Sequence, residues 1–305
     1  MKQISTVAEM QDEALAILRA GKKHGLVPTM GNLHAGHLSL LQQARQDCEV
    51  VTASVFVNPT QFNDPNDFKT YPRTLEDDLR LCAEAGVDFV FTPAAEELYH
   101  ENSDIRVDPG RLANHLCGLS RGRGHFIGVC TVVSKLFNIV RPDVAYFGQK
   151  DAQQALIIQR MIRDLNFPLK IAVVPIVREE DGLARSSRNR LLTPENRAQA
   201  PLLYKALSTG AQMIAQGESD ALKVIAAMTE ILNRSGGEID YLNVTDTETL
   251  EDVDVVNDVV LLAGALRLGD VRIIDNVLAA PAQPHGHNVV HEGHGHCGCG
   301  CHHDH

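Results

Sequence analysis

A strand–turn–helix stretch near the N terminus decides the fold: Val27-Pro28-Thr29-Met30-Gly31-Asn32-Leu33-His34-Ala35-Gly36-His37. The apolar run from Gly25 to Thr29 predicts a short buried strand. Between Leu38 and Cys48 the apolar residues recur at helical spacing, which predicts a helix. A buried strand that leads through a glycine turn into a helix is typical of the first unit of an α/β protein.

Two histidines occupy the start of this predicted helix. His34 and His37 are three residues apart, so on a helix they share one face. Gly36 between them removes a side chain and allows a ligand to approach the backbone. Free N–H groups and the helix dipole favour anions there, and two imidazoles could stabilise charge on a phosphoryl group. The alternative is a pair of structural histidines at a strand–helix corner.

The same alternation of strands and helices continues outward from this stretch. Residues 50–57, 87–91, 144–147 and 171–177 read as strands, and residues 7–20, 74–85 and 152–165 as helices. Residues 132–140 are apolar and fit either a helix or a strand. Nearly continuous apolar strands predict a parallel, Rossmann-like sheet with helices on both faces. Such sheets bind ligands beyond the carboxyl ends of their strands.

The pattern changes after about residue 184. Thr193-Pro194-Glu195 starts a predicted helix that runs to about Gln216, and a second helix covers 220–233. Residues 239–244, 259–268 and 271–277 read as consecutive strands. We therefore predict a Rossmann-like catalytic domain at 1–184, a smaller α+β domain at 185–280 and a separate tail at 281–305.

Composition excludes several classes of function. The chain carries 28 Lys and Arg against 39 Asp and Glu, a net charge of −11, which argues against a broad nucleic-acid surface. It has no Trp and only 5% aromatic residues, which argues against a base-stacking platform. No apolar run is long enough for a membrane span, and the N terminus lacks the features of a signal peptide, so we expect a cytoplasmic protein. Four cysteines are expected to be buried, reduced thiols: Cys48, Cys82, Cys117 and Cys130.

Polar residues follow several of the predicted strands. Asn58 and Gln61 close the second strand, although on its own Gln61 would be an unremarkable glutamine. Lys150 follows a strand and a glycine, where a lysine can act as a point cation for phosphate. Ser186-Ser187-Arg188 offers hydroxyl groups and a guanidinium to a triphosphate. Without further context, that segment is more often a solvated loop, and Lys150 could equally be a surface lysine.

Six short strings carry a resemblance to a known family. H-x-G-H at the first strand–helix turn resembles the nucleotidyltransferase superfamily. The longer strings resemble its pantoate–β-alanine ligase family, in family order and over about residues 1–278. They are PTMGNLHAGH (28–37), VFVNPTQF (55–62), YPRT (71–74), GHFIGV (124–129), FGQKDAQQ (147–154) and SSRN (186–189). The chain departs from the family pattern at Gln149, where relatives often have Glu.

The resemblance implies a reaction. The family joins pantoate to β-alanine with ATP and Mg²⁺, through a pantoyl adenylate, and releases AMP and pyrophosphate. It implies catalytic roles for His34, His37 and Lys150, with His37 as a proton donor. It also implies a homodimer, and a second domain that acts as a lid over the reactive anhydride.

The binding residues are also implied by the resemblance. Those for ATP are Met30, Gly31, Asn32, Leu33, His34, Ala35, Gly36, His37, Gly148, Gln149, Lys150, Asp151, Val177, Arg185, Ser186, Ser187 and Arg188. Those for pantoate and β-alanine are Asn58, Gln61 and Gln154. Buried amides of this kind give specificity, because an analogue without their partners leaves them unpaired.

Other functions compete with this one. A nucleotidyltransferase could stop at an adenylylated product, although the set Asn58, Gln61 and Gln154 favours pantoate. A tRNA synthetase is disfavoured by the acidic charge and by the lack of a basic anticodon-type domain. A metal-handling protein on a degenerate enzyme body is disfavoured by the intact histidines, lysine and serine–arginine segment.

The C-terminal tail differs in composition from the rest of the chain. It holds eight of the 14 histidines and three cysteines in a glycine-rich context, so we expect it to be disordered. The spacing is not that of a folded zinc finger. Zn²⁺ or Ni²⁺ binding, an idle low-complexity tail and a purification artefact all remain open. The candidate metal ligands are His285, His287, His291, His294, His296, Cys297, Cys299, Cys301, His302, His303 and His305.

Overall fold

Two β-sheets organise residues 1–282, which are the residues that the computed structural model describes. The larger sheet has six parallel strands in the order β1-β4-β3-β2-β5-β6. Its strands are Lys2–Ile4 (β1), His24–Thr29 (β2), Val50–Val55 (β3), Phe89–Phe91 (β4), Val144–Gly148 (β5) and Lys170–Val174 (β6). The predicted parallel, Rossmann-like sheet is therefore confirmed.

Eight helices accompany this sheet within the described residues. They are Val7–Arg19 (α1), Ala35–Asp47 (α2), Pro65–Thr70 (α3), Leu75–Glu84 (α4), Ala95–Leu98 (α5), Cys117–Arg121 (α6), Arg123–Val140 (α7) and Ala152–Asp164 (α8). The ambiguous apolar segment 132–140 is the buried second half of α7. No periodicity in the sequence indicated β1 or the helices α3, α5 and α6, which are short and depend on their neighbours in the fold.

The strand order places the ligand-binding edge of the sheet. The chain adds β3 and β4 on one side of β2, and β5 and β6 on the other side. Such a reversal opens a crevice at the carboxyl ends of the strands beside it. The loops that follow β2, β3 and β5 therefore meet at one place, and these loops carry the H-x-G-H, Asn58–Gln61 and Lys150 segments.

The smaller part of the fold is an antiparallel sheet with helices. Its strands are Glu238–Asp246 (β7), Val260–Leu268 (β8) and Val271–Ala279 (β9), and its helices are Pro194–Gln199 (α9), Leu202–Ala215 (α10) and Ala221–Leu232 (α11). The single helix expected from 193 to 216 is wrong. Pro201 has no N–H to continue the first helix, and a new helix starts directly after it.

The apolar cores of the two parts are continuous in places. Leu250, Leu261 and Ala263 belong to the smaller part but pack into the core beneath the parallel sheet. The four cysteines of residues 1–282 are buried and form no disulfide with one another, as expected. No helix of that region is long and apolar enough to cross a membrane.

Candidate active site

A cleft of about 750 Å³ lies between the carboxyl edge of the parallel sheet and the smaller part of the fold. Residues of both parts line the cleft, and many of these side chains are polar or charged. The chain as a whole has a net negative charge. The predicted residues that line the cleft are Met30, His34, His37, Asn58, Gln61, Lys150, Asp151, Gln154, Ser186, Ser187 and Arg188. The fold thus brings together residues from separate segments of the sequence.

The two histidines are held by the start of α2. His34 is the N-cap, and its Nδ1 accepts a hydrogen bond from the Gly36 N–H at 3.1 Å. The Nδ1 of His37 accepts one from the His34 N–H at 3.3 Å. A Cβ at Gly36 would lie 2.9 Å from Cε1 of the His34 ring. The space that the glycine leaves is therefore used at least by the His34 ring.

Both rings are neutral in the free protein. Burial and then the charge of Lys150 lower the pKa of His34, and burial together with His34 lowers the pKa of His37 to about 3. Since each Nδ1 accepts a hydrogen bond, the single proton of each ring sits on Nε2. The ring centroids are 4.2 Å apart, so the corner presents two neighbouring N–H donors. The pair can donate to an anion without being charged.

A buried carboxylate that the sequence analysis missed shapes this corner. Asp78 of α4 accepts hydrogen bonds from the N–H groups of Asn32 at 3.0 Å and Leu33 at 2.8 Å. A Cβ on Gly31 would lie 2.8 Å from Asp78 Oδ2, and Gly31 also has a φ of +76°. Asp78 and the glycine therefore require each other. The only signal in the sequence was an acidic residue on the buried face of an otherwise solvated helix.

Asn58 and Gln61 also line the cleft, and the Gln61 Nε2 donates to the Met30 Sδ at 3.2 Å. Asn58 is 1% exposed, and its Nδ2 donates to Gln61 Oε1 at 3.0 Å and to the Gly128 carbonyl at 3.2 Å. Its Oδ1 accepts from the hydroxyls of Thr60 and Tyr99, both at 2.9 Å. The amide of Asn58 is thus engaged inside the protein, and it fixes the orientation of Gln61.

Helix α7 provides the platform beneath Gln61. A Cβ on Gly128 would overlap the Thr60 carbonyl group, so only glycine permits this close packing. Three residues earlier, the ring of His125 hydrogen-bonds the Gln61 carbonyl at 2.8 Å. The segment GHFIGV therefore has two physical roles, which are a close approach and a ring that faces the cleft.

Comparison with known proteins finds relatives that match most of the chain. The family model for pantoate-beta-alanine ligase matches residues 2–278. The chain is 52% identical over 279 residues to the pantothenate synthetase of Moorella thermoacetica, covering 91% of this chain and 98% of that one. It is 48% identical over 278 residues to that of Fervidobacterium nodosum, covering 91% and 99%.

Two solved structures extend the comparison. The pantothenate synthetase of Thermus thermophilus is 46% identical with a TM-score of 0.84, over 91% of this chain and 99% of that chain. The pantoate-beta-alanine ligase of Francisella tularensis, complexed with beta-gamma ATP and beta-alanine, is 35% identical with a TM-score of 0.75, over 91% and 97%. This chain belongs to the pantoate-beta-alanine ligase family.

In this member of the pantoate-beta-alanine ligase family, the Lys150 turn is held by the smaller part of the fold. Gln149–Asp151 forms a short 3₁₀ turn between β5 and α8. Asn276 of β9 donates from Nδ2 to the carbonyls of Gln149 at 2.8 Å and Lys150 at 3.1 Å. The Gln149 side chain returns a bond of 3.4 Å to Asn276 Oδ1. Sequence reasoning missed Asn276, because nothing in a strand pattern signals such a distant partner.

A buried ion pair supports the strand that carries Asn276. Arg178 binds Asp275 through both guanidinium ends, at 2.5 and 3.0 Å, and its guanidinium lies 3.6 Å from the centre of the Tyr204 ring. Burial raises the pKa of Asp275, and the adjacent Arg178 opposes this effect. The pair joins the hairpin after β6 to the second sheet.

The predicted phosphate loop follows that hairpin. The Arg185 N–H donates to the Val177 carbonyl at 2.9 Å, which places these two predicted residues side by side. Ser186 caps the 3₁₀ turn Ser187–Leu191 and accepts from the Arg188 N–H at 3.3 Å. The loop is therefore ordered by its own hydrogen bonds, and it presents Arg188 to the cleft.

Cations converge on the cleft from both parts of the fold. Arg121 and Arg272, which the sequence analysis missed, join Lys150 and Arg188 in its lining. Burial and then Arg188 lower the pKa of Arg121. Asp151 lies among these charges, and although burial alone would raise its pKa, Lys150 and the arginines keep it below the ordinary value. The Asp151 side chain is exposed to the cleft even though protein surrounds this residue on most sides.

The remaining predicted residues lie at the edge of this site. Gly31, Asn32, Leu33, Ala35, Gly36, Gly148, Gln149, Val177 and Arg185 flank the lining without forming part of it. The side chain of Gln153 is buried, and its Nε2 donates to the Leu112 and His115 carbonyls at 2.9 and 2.7 Å. The side chain of Gln154 has no hydrogen-bonding partner within residues 1–282. The metal ligands predicted in the tail lie outside the described residues. Residues 1–282 contain no group of three metal-ligating side chains.

Proposed function

We propose that the chain ligates pantoate to β-alanine at this cleft, with conversion of ATP to AMP and pyrophosphate. One observation carries the proposal. The cleft of a pantoate-beta-alanine ligase family member brings neutral N–H donors and cations together with the fixed amide of Gln61. The donors and cations suit phosphates, and the amide suits a hydroxylated acid.

In the first step, the pantoate carboxylate attacks the α-phosphorus of ATP. His34 and His37 donate from Nε2 to phosphate oxygens, while Lys150 and Arg188 neutralise charge on the leaving pyrophosphate. Because the pKa of His37 is about 3 in the free chain, this ring acts as a neutral donor until phosphate charge raises its proton affinity. Ser186 and Ser187 supply further donors from the opposite loop.

The amide side chains select the acid. Gln61 and Gln154 both line the cleft, and they hold pantoate by its hydroxyls and carboxylate. Asn58 acts through Gln61, because its own polar atoms are engaged in the protein. The Gln61 amide already bonds Asn58 and Met30, whereas the Gln154 side chain has no partner within residues 1–282. An acid without a matching hydroxyl therefore leaves the Gln154 amide unpaired, which is the source of selectivity.

The donor set of this cleft fits a magnesium ion bound mainly by ATP. Mg²⁺ in nucleotide sites commonly takes one or two carboxylates together with phosphate oxygens and waters. Asp151 is an ionised carboxylate in the cleft, and it would hold the ion. When bound, Mg²⁺ supplies charge neutralisation on the triphosphate.

The division at residue 184 is part of the same proposal. Residues 1–184 bind ATP and pantoate, and residues 185–280 close over them as a lid. The smaller part supplies Arg272 to the lining and Asn276 to the Lys150 turn. A wall of this kind keeps water from the mixed anhydride until the amine arrives.

Product analysis tests the function directly. Full-length protein and a variant that lacks residues 285–305 are incubated with ATP, Mg²⁺, pantoate and β-alanine. We expect pantothenate, AMP and pyrophosphate in equal amounts from both. An adenylylated product that accumulates in the presence of β-alanine would support a nucleotidyltransferase instead, and no AMP from either protein would refute the ligase.

We also propose that the tail binds Zn²⁺ or Ni²⁺ through its imidazoles and thiols without taking part in ligation. Soft and borderline ions prefer these ligands. Metal content after equilibration with each ion and gel filtration compares full-length protein with the variant that lacks 285–305. Equal metal content in the two proteins would refute this proposal.

A homodimer in the cytoplasm completes the proposal. The family resemblance supports the dimer, and the substrates of a biosynthetic ligase support the location. Analytical ultracentrifugation of the full chain gives the mass in solution, and fractionation of source cells gives the location. A monomer at micromolar concentration would contradict the first expectation.

A further inference from the structure

His125 presents a ring nitrogen of opposite character to the two histidines of the H-x-G-H corner. Its Nδ1 lies 2.8 Å from the Gln61 carbonyl oxygen. A carbonyl oxygen can only accept, so this nitrogen carries the proton. In a neutral imidazole the other nitrogen, Nε2, then holds an unprotonated lone pair.

The lone pair is directed to solvent in the cleft. Nε2 of His125 has no hydrogen-bonding partner within residues 1–282, and it is not one of the side-chain atoms there that are sealed from solvent without a partner. The ring itself belongs to the cleft lining. It is therefore an open acceptor on the side of the cleft that holds Gln61.

The three rings of the cleft divide into two kinds. His34 and His37 accept backbone bonds at Nδ1 and offer N–H donors, whereas His125 donates at Nδ1 and offers an acceptor. Donors suit phosphate oxygens. An unprotonated ring nitrogen cannot hydrogen-bond a phosphate oxygen, because both atoms are acceptors. It can accept a hydrogen bond from the N–H of an amine.

The second half of the reaction needs such an acceptor. When an amine bonds to the carbonyl carbon of an acyl adenylate, its nitrogen becomes positive and must lose a proton before the amide is stable. We propose that Nε2 of His125 orients the β-alanine amine and takes this proton. The inference rests on the proposed function and assigns a catalytic residue to its second step.

Atoms and electrons balance in this step. The nitrogen lone pair forms the C–N bond, the carbonyl–oxygen bond to AMP breaks, and AMP leaves with that electron pair. The amine proton moves to Nε2 of His125 and then to solvent. No oxidant, reductant or further reactant is required.

The surroundings of the ring keep the acceptor available. Burial and then Arg121 lower the pKa of His125 to about 4, while the Gln61 carbonyl and Asp151 oppose the shift and Arg188 adds to it. The ring is therefore unprotonated at neutral pH. An adenylate that pairs with Arg121 and Arg188 weakens their effect on His125, so the ring becomes a stronger base when the intermediate is present.

Two half-reactions separate this role from a structural one. Pantoate-dependent exchange of pyrophosphate into ATP reports adenylation, and single-turnover capture of pantoyl adenylate by β-alanine reports the amide step. His125→Asn keeps an N–H donor for the Gln61 carbonyl but removes the basic nitrogen. The same substitution at His100, an exposed residue outside the cleft, is the matched control.

We expect His125→Asn to exchange pyrophosphate within about threefold of the wild type and to form amide about 10²-fold more slowly, as for loss of a general base. Added imidazole should restore part of the amide rate. Equal slowing of both half-reactions with a raised pantoate KM, or an unchanged amide rate, would overturn the role of His125. Absence of pantoate-dependent exchange in the wild type would instead refute the proposed function.

Discussion

The H-x-G-H corner and the Lys150 turn follow neighbouring strands of one sheet, yet different contacts hold them in place. In the corner, His34, Gly36 and His37 bond one another over three residues or fewer, and Asp78 adds a more distant support. The Lys150 turn depends on Asn276, which is 126 residues away in sequence. One half of the proposed phosphate site is thus encoded largely locally, and the other half exists only once both parts of the fold have docked.

This difference distinguishes variants that remove a functional group from variants that only shift its position. A change in the corner deletes a proposed hydrogen-bond donor to phosphate. A change in the support of the lysine turn leaves every charged group present but moves one of them. Four substitutions test this contrast, from the largest expected effect to the smallest.

His37→Ala should have the largest effect. It removes the Nε2 donor and leaves the His34 N–H without its partner. Loss of one preorganised donor to a developing oxyanion costs about 10²–10³-fold in rate. Pantoate-dependent pyrophosphate exchange should fall by that factor while the unfolding midpoint in urea changes little. An exchange rate within threefold of the wild type would contradict a phosphate-side role for this ring.

Gly128→Ala tests the support of the pantoate side. The new Cβ would overlap the Thr60 carbonyl, so helix α7 and the Asn58–Gln61 turn must separate. We expect a loss of about 1–3 kcal/mol in stability, as for overpacking, together with at least a tenfold rise in pantoate KM. The matched control is Gly124→Ala on the same helix, where the nearest atom would be 3.9 Å away. Equal behaviour of the two variants would contradict the close approach.

Asn276→Ala changes the support of the Lys150 turn without removing a charged group from the cleft. It deletes the two bonds to the Lys150 turn, each worth about 1 kcal/mol. Adenylation should slow about tenfold, chiefly through a higher KM for ATP, while the amide step from supplied adenylate stays near the wild-type rate. Asn138→Ala is the control, since that exposed amide bonds its own helix through the Ser134 carbonyl. A normal KM for ATP would show that the Lys150 turn keeps its shape without the two Asn276 hydrogen bonds.

His24→Gln should have the smallest effect at neutral pH. Burial lowers the pKa of His24 to about 4, against an ordinary value of 6.5. The unfolded chain therefore binds a proton near pH 6 that the folded chain refuses, so the stability present above pH 6.5 is lost as the pH falls towards 4.

Urea unfolding at several pH values measures this loss. From about pH 6 to about pH 5, the variant should lose about 1 kcal/mol less of its unfolding free energy than the wild type. Thr52→Val removes the hydrogen-bond partner of the ring but keeps the ionisable group, so its pH slope should match the wild type. Identical slopes for His24→Gln and the wild type would contradict a buried neutral ring.

The same contrast explains how far the sequence alone could lead. Strand–helix alternation predicted the parallel sheet, and the strings around His34, Gln61, Lys150 and Ser186 predicted the segments that meet in the cleft. The string at 124–129 included His125 but not its contact, and no spacing could predict Asp78 and Asn276. Each of these acts on a backbone group far away in the chain, and no local periodicity records such a partner.

Element boundaries failed for a related reason. Pro201 divides a segment whose apolar spacing is otherwise continuous, because proline removes a hydrogen bond that spacing does not report. Gly36 was assigned to ligand access, and the structure adds that its missing side chain makes room for the His34 ring. In both cases the residue type was informative, and only the three-dimensional neighbours show which consequence applies.

The contact between Asn276 and the Lys150 turn couples two equilibria. One is the binding of nucleotide, and the other is the docking of the second sheet against the turn. If nucleotide holds Lys150 in place, it favours the docked arrangement, and by reciprocity the docked arrangement tightens nucleotide binding by the same factor. A substitution anywhere in the interface that loosens docking should therefore act as a remote regulator of ATP affinity, even when it touches neither substrate.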